Sequence, residues 1–286
     1  MRTTTYEGAG LQLAGESYGD PGDPPVILLH GGGQTRHAWR TSARTLAEHG
    51  WQTHAIDLRG HGDSDWAPDG DYTIDGFAAD LRAVARTMDQ RPVVVGASLG
   101  GLTSLIAHAE SDPPGTLLSG IVLVDVAPKI ESAGVARIGD FMTAHLDGFA
   151  SLEEVADAVA AYNPHRPRPT DLSGLAKNVR QREDGRWYWH WDPAFVGGKF
   201  GSSDETRSSV LDSNRLEDAA RSLTIPTLLV RGRMSDLLSA EGAQALLDLV
   251  PQARLVDVAG AGHMVAGDRN DLFNDAVAEF LDELRA

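Results

Sequence analysis

Ser98 stands at the centre of Gly96-Ala97-Ser98-Leu99-Gly100, a G-x-S-x-G pentapeptide. It directly follows the β-branched run Val93-Val94-Val95 and precedes the stretch Leu102 to Ala109. The apolar run reads as a buried strand and the segment after it as a helix. A serine at such a corner is held on a sharp, strained turn with its hydroxyl in open space, which is a mounting for a nucleophile. Glycines at 96 and 100 lack Cβ and let strand and helix close around the turn. The pentapeptide alone carries little weight, because Gly, Ala and Ser are common; its place between a strand and a helix gives it meaning.

A serine hydroxyl is a poor nucleophile at neutral pH and needs a base within hydrogen-bond reach, usually a histidine oriented by a carboxylate. In a doubly wound sheet the reacting groups lie in loops past the carboxyl ends of strands. Two such groups follow Ser98 in the chain. Asp236 lies just after the strand-like run Thr227 to Arg231, and His263 lies in Ala259-Gly260-Ala261-Gly262-His263-Met264, just after Leu255 to Val258. The order Ser, Asp, His is that of a hydrolase triad. Asp125, at the end of the run Ile121 to Val124, is a rival to Asp236; its alternative role is to anchor backbone where Val126-Ala127-Pro128 begins an insertion.

The elements that must hold these groups alternate. Strand-like runs at Pro25 to Leu29, Trp51 to Leu58, Val93 to Val95 and Gly120 to Val126 are separated by helix-like segments. One of these has Ile74, Phe77, Leu81, Val84 and Met88 at steps of three and four, the stripe of an amphipathic helix. Continuous apolar runs rather than period-two ones point to a mostly parallel sheet covered on both faces, with Leu11 to Tyr18 as an antiparallel strand before it. The rhythm stops after Pro128 and resumes at Ile225. The expected fold is therefore α/β, with residues 1–128 and 223–286 as the core and 129–222 as a helical cap over the carboxyl edge of the sheet. Within that cap, Arg166 to Arg168 reads as a solvated basic loop, and Trp187-Tyr188-Trp189-His190-Trp191 as cap core with some rings facing a pocket.

Five segments in this order resemble the α/β-hydrolase superfamily: His30-Gly31-Gly32-Gly33, Asp57-Leu58-Arg59-Gly60-His61-Gly62-Asp63-Ser64, Gly96 to Gly101, Asp236 and Gly262-His263. The branch resembled holds esterases, cofactor-free haloperoxidase-like enzymes and carbon–carbon bond hydrolases. The resemblance implies a mostly parallel doubly wound sheet, a Ser98-His263-Asp236 triad, an acyl-enzyme intermediate, and neither metal nor organic cofactor. Serine at position 98 sets aside the aspartate-nucleophile relatives, the haloalkane dehalogenases and soluble epoxide hydrolases. Acyl transfer also needs two backbone N–H groups where the carbonyl oxygen becomes negative. The expected donors are Leu99, opening the helix, and Gly32, with Gly33 second in line. His30 is expected to orient that loop, and Asp57, Arg59, His61 and Asp63 to build a structural loop rather than a metal site. Gly33, Trp187, Trp189 and Trp191 are the expected pocket residues.

The formal charge of −16 over 286 residues disfavours nucleic acid or an anionic membrane as partner. No run approaches the ~18 apolar residues that cross a bilayer, and the first residues lack the apolar core of a signal peptide. There are no cysteines, which fits a reducing cytoplasm and excludes disulfides and thiolate metal sites. The expected partner is a small acyl substrate, with monomer and homodimer both open. The leading expectation is hydrolysis of a small, largely apolar ester, thioester or lactone. The alternatives are meta-cleavage carbon–carbon hydrolysis, with Arg59 or Arg233 holding a substrate carboxylate, perhydrolysis as a side activity, and a non-catalytic ligand receptor.

Overall fold

The computed structural model describes residues 1–164, 168, 170–197, 212–268 and 270–285. The strands are β1 (Arg2–Glu7), β2 (Gln12–Tyr18), β3 (Pro25–Leu29), β4 (Gln52–Ile56), β5 (Val93–Ala97), β6 (Gly120–Val124), β7 (Val179–Gln181), β8 (Trp187–Trp189), β9 (Thr227–Gly232) and β10 (Arg254–Val258). Eight of them form one sheet in the order β1-β2-β4-β3-β5-β6-β9-β10. From β4 to β10 neighbours are parallel, while β2 runs antiparallel to β4 and β1 antiparallel to β2. The continuous apolar runs are the central strands: Val26, Ile27 and Leu28 on β3, Val94 and Val95 on β5, and Ile121, Val122 and Leu123 on β6 are all fully buried. Successive side chains feed two core clusters, one on each face of the sheet. The strand β1, rich in threonine and largely exposed, carries no apolar signal and was not foreseen.

The helices flanking the sheet are α1 (Arg40–Glu48), α2 (Ile74–Ala85) and α3 (Leu99–Ala109). In α2 the predicted stripe is the buried one, with Ile74, Phe77, Leu81 and Val84 all inside. Its start is set by Thr73, whose hydroxyl accepts from the Gly76 amide, a cap worth about 1 kcal/mol. Within the span read as a cap lie α4 (Ser132–Thr143), α5 (Leu152–Tyr162), the hairpin β7–β8 and the short α6 (Pro193–Gly197). The three-residue strands β7 and β8 are too short for a periodicity reading, so the cap's hairpin was missed. Helix Ser213–Arg221, inside the span read as cap, packs instead on α3 of the core. Its Leu216, Ala219 and Ala220 are buried, and Arg215 pairs with Asp75 and Glu110. Of the predicted basic loop, Arg168 pairs with Asp157 at 2.6 Å; residues 165–167 lie outside the described residues.

Three histidines are built into this interior: His30 after β3, His54 on β4 and His108 on α3. Burial pushes each ring down to about 4. A folded-state value below the ordinary 6.5 means that folding favours the neutral ring. The stabilisation is complete above about pH 6.5 and is lost as pH falls from there through 4. At pH 5 each ring has given up about 2 kcal/mol. The melting temperature is therefore expected to fall by on the order of 10 °C between pH 7 and pH 5. Calorimetry at the two pH values checks this, and an unchanged melting temperature contradicts it.

Candidate active site

The corner at Ser98 is strained as its sequence implies. Ser98 has φ +47° and ψ −113°, between β5 and α3. The flanking glycines are required by crowding: a Cβ on Gly96 would sit 2.5 Å from the carbonyl carbon of Gly100, and one on Gly100 would sit 2.5 Å from Leu29 O. Among the described residues only Ser98, Asp125 and His145 combine a side chain with positive φ. Two of these three are at the carboxyl ends of adjacent strands, β5 and β6. Such strain persists only where the surroundings over-determine it, and it concentrates at functional sites.

His263 lies in the loop after β10, and its Nδ1 is 2.7 Å from Oδ2 of Asp125. The carboxylate of Asp125 is fully buried. It also accepts from the Gly232 amide at 2.9 Å and from the Ser235 hydroxyl at 2.5 Å. Because the carboxylate only accepts here, Nδ1 of His263 carries the proton and Nε2 is left basic. Asp236, expected in this role, is placed elsewhere. It is half-exposed and pairs with Arg137 of α4 at 2.6 Å. The cause is the tight turn after β9, where Ser235 N bonds Gly232 O. Ser235 Oγ spans Asp125 and the amides of Leu237 and Leu238, and the next side chain is directed outward to the cap. The signal for Asp125 in the sequence was its place at the end of the strand beside the nucleophile strand.

The loop after β3 is fixed peptide by peptide. His30, fully buried, donates from Nδ1 to Gly31 O at 2.8 Å and accepts from the Leu58 amide at Nε2. Gly31 N–H goes to Gln34 Oε1 and Gly33 N–H to His61 Nε2, at 3.2 and 3.1 Å. The amide of Gly33, second in line as an oxyanion donor, is thus already engaged, and Gly32 lies between two tethered neighbours. Leu99 N–H opens α3, where the first amides of a helix have no intrahelical acceptor and the helix dipole favours negative charge.

The loop Asp57 to Asp63 serves structure. Asp57 accepts from the Arg36 amide, its guanidinium and the Asp63 amide. Arg59 is held by Asp80 at 2.6 Å. The carboxylates and guanidinium groups of this loop thus pair with one another and with Arg36 and Asp80. Arg233 is exposed, 4.0 Å from Asp257.

Ser98, Leu99, Gly32, Gly33 and His263 all line one cavity of about 420 Å³ between the sheet edge and the cap. Its walls are mainly apolar, with Leu102, Val126, Phe141, Met142, Phe195 and Leu237 among them. Trp189 and Trp191 also line it, their rings stacked 4.7 Å apart. Trp187 does not; it bridges to Phe149 at the far end of β8. Neither Arg59 nor Arg233 reaches the cavity. No described helix is long and apolar enough to cross a membrane.

A sequence model of the α/β-hydrolase fold matches residues 24–269. The chain is 31% identical over 266 residues to the esterase Rv0045c of Mycobacterium tuberculosis, covering 91% of this chain and 83% of that one. It is 27% identical over 266 residues to a 3-hydroxybutyrate-oligomer hydrolase of Cupriavidus necator, covering 89% and 88%. The solved structure of the M. tuberculosis esterase superposes with a TM-score of 0.75 at 27% identity, over 98% of this chain and 92% of that one. That of E-2-(acetamidomethylene)succinate hydrolase gives 0.82 at 24% identity, over 98% and 99%, a likeness of fold. The family match runs through β3, the Ser98 corner and the His263 loop alike, and by it the chain belongs to the α/β-hydrolase family.

Proposed function

We propose that the protein is a serine carboxylic-ester hydrolase acting through Ser98, His263 and Asp125 on small, largely apolar esters, thioesters or lactones. The observation that carries the reading is the single cavity that brings Ser98, His263 and the Gly32 and Leu99 amides onto apolar walls. Its volume of about 420 Å³ lies towards the small end of ligand pockets. Nε2 of His263 takes the Ser98 proton as Oγ attacks the carbonyl carbon, and the Gly32 and Leu99 amides receive the charge that builds on the carbonyl oxygen. The same nitrogen then protonates the leaving alcohol or thiol. Water, deprotonated by His263, attacks the acyl-enzyme, and the acid leaves with Ser98 restored. Asp125 holds His263 in the required tautomer and stabilises its protonated form. No step needs a metal or cofactor. Within residues 129–222, α4, α5, the β7–β8 hairpin and α6 act as the cap that closes the cavity, and the absence of cysteine fits work in the cytoplasm.

Relatives named as an esterase and a hydroxybutyrate-oligomer hydrolase support the ester-cleaving class. For the carbon–carbon alternative, Arg59 and Arg233 lie outside the cavity, and among the described residues Lys177 is the cation that lines it. A series of p-nitrophenyl esters from acetate to laurate, with intact-mass measurement after treatment with a phosphonofluoridate, tests the reading. The expected result is turnover that favours the shorter acyl chains and a single phosphonyl adduct on Ser98. An unmodified chain that turns over none of the esters overturns it.

A further inference from the structure

We propose that His190 of the cap is a positioning residue for the oxyanion loop, so that the loop is complete only with the cap seated. This rests on the hydrolase reading above. His190 lies just past β8 and is 2% exposed. Its Nδ1 accepts from the Gly62 amide at 2.8 Å, and its Nε2 is 3.3 Å from Gly33 O. A carbonyl can only accept, so Nε2 carries the proton, and one neutral tautomer satisfies both bonds. Burial holds the ring well below the ordinary histidine range, in keeping with that neutral form.

The consequence is geometric. Gly33 is gripped from both sides, its N–H by His61 and its C=O by His190. The carbonyl before Gly32 is gripped by His30. In a trans peptide C=O and N–H point oppositely, so tying Gly31 O back towards His30 directs Gly32 N–H the other way, to the cavity it lines. The rings of His30, His61 and His190 follow one another at 5.2 and 5.8 Å, each holding one bond of the same short loop. Two come from core segments and the third from the insertion. Gly33 has φ +74°, a conformation free to drift once a tether is removed.

The competing reading is that His190 merely fastens the hairpin to the core. Arg180 supplies the control, because it fastens the same hairpin to the same neighbour without touching Gly31 to Gly33. It bonds Gly62 O at 3.3 Å and Asp63 at 2.7 Å. The experiment compares His190→Phe, His190→Gln and Arg180→Ala for kcat, KM, melting temperature and affinity for an alkyl boronic acid, whose tetrahedral adduct on Ser98 loads the oxyanion site. His190→Phe is expected to lower kcat and boronate affinity together, by about 10- to 100-fold, with KM within about twofold. His190→Gln, whose amide N–H reaches for Gly33 O, is expected to recover most of both. Arg180→Ala is expected to stay within about twofold of the parent. If the phenylalanine variant does not fold, His190→Asn, whose amide can still meet the Gly62 N–H but is too short for Gly33 O, replaces it. Parental kcat in every His190 variant overturns the inference while leaving a Ser98-dependent hydrolase intact. An Arg180→Ala loss equal to that of His190→Phe overturns it as well. A parent chain inert to every ester removes the hydrolase reading and this inference with it.

Discussion

Ser98→Ala is expected to lower kcat on an activated ester by about 10⁶-fold, with the residual rate set by the oxyanion amides and binding alone. The size follows from the way the site is divided. The nucleophile and base act as a unit, so removing the hydroxyl makes His263 and Asp125 useless, whereas the Gly32 and Leu99 amides still polarise a bound carbonyl for attack by water. The fold should not register the change. Alanine keeps the Cβ and therefore keeps the strain of φ +47° at the corner. Ser98→Gly removes that strain, which is of order 1–3 kcal/mol, at a backbone-entropy cost of about 0.5–1 kcal/mol. The glycine variant is therefore expected to be equally inactive and slightly more heat-stable than the parent. Steady-state rates with calorimetry on the same preparations check both statements. An alanine variant retaining more than about 1% of parental kcat is incompatible with acyl-enzyme chemistry at Ser98.

What the sequence disclosed follows the range of the interactions involved. The Ser98 corner is local: a strand, a turn and two crowded glycines lie within ten residues, so they can be read together. The parallel core was legible because its strands are buried on both faces and are apolar without interruption. His263 was legible because it follows a strand within a glycine-rich loop. The carboxylate was harder, since choosing between Asp125 and Asp236 depends on how the turn after β9 folds. That turn is set by the Ser235 hydroxyl, a contact 110 residues from Asp125 in sequence. The tryptophans show the same limit. Trp187, Trp189 and Trp191 share one parity, but only Trp189 and Trp191 fall over the cavity, while Trp187 is drawn to Phe149 at the start of β8. The role argued for His190 was not legible at all, because each of its partners lies more than a hundred residues away.

Asp125→Asn is expected to lower kcat by about 10⁴-fold, and Asp236→Asn by no more than about twofold. Asparagine suits position 125 sterically, since it matches aspartate in shape and tolerates the φ of +52°. Its one acceptor is held on the Gly232 amide that Oδ1 now satisfies. Its NH₂ then faces Ser235 Oγ and Nδ1 of His263, where Oδ2 stands today. Two donors cannot share that contact, so His263 must move its proton to Nε2 and offer a lone pair at Nδ1. A ring protonated at Nε2 cannot take the Ser98 proton, and the loss is therefore in chemistry rather than in binding. KM should stay near the parental value. At position 236 the same substitution removes half of an ion pair that is 45% exposed on each side. Such pairs contribute about 0–1 kcal/mol, and the Arg137 guanidinium keeps its contacts with Tyr162. Single-turnover acylation rates for the two variants decide between the carboxylates. A collapse at Asp236→Asn with Asp125→Asn unaffected returns the orienting role to Asp236 and requires the turn after β9 to refold when substrate binds.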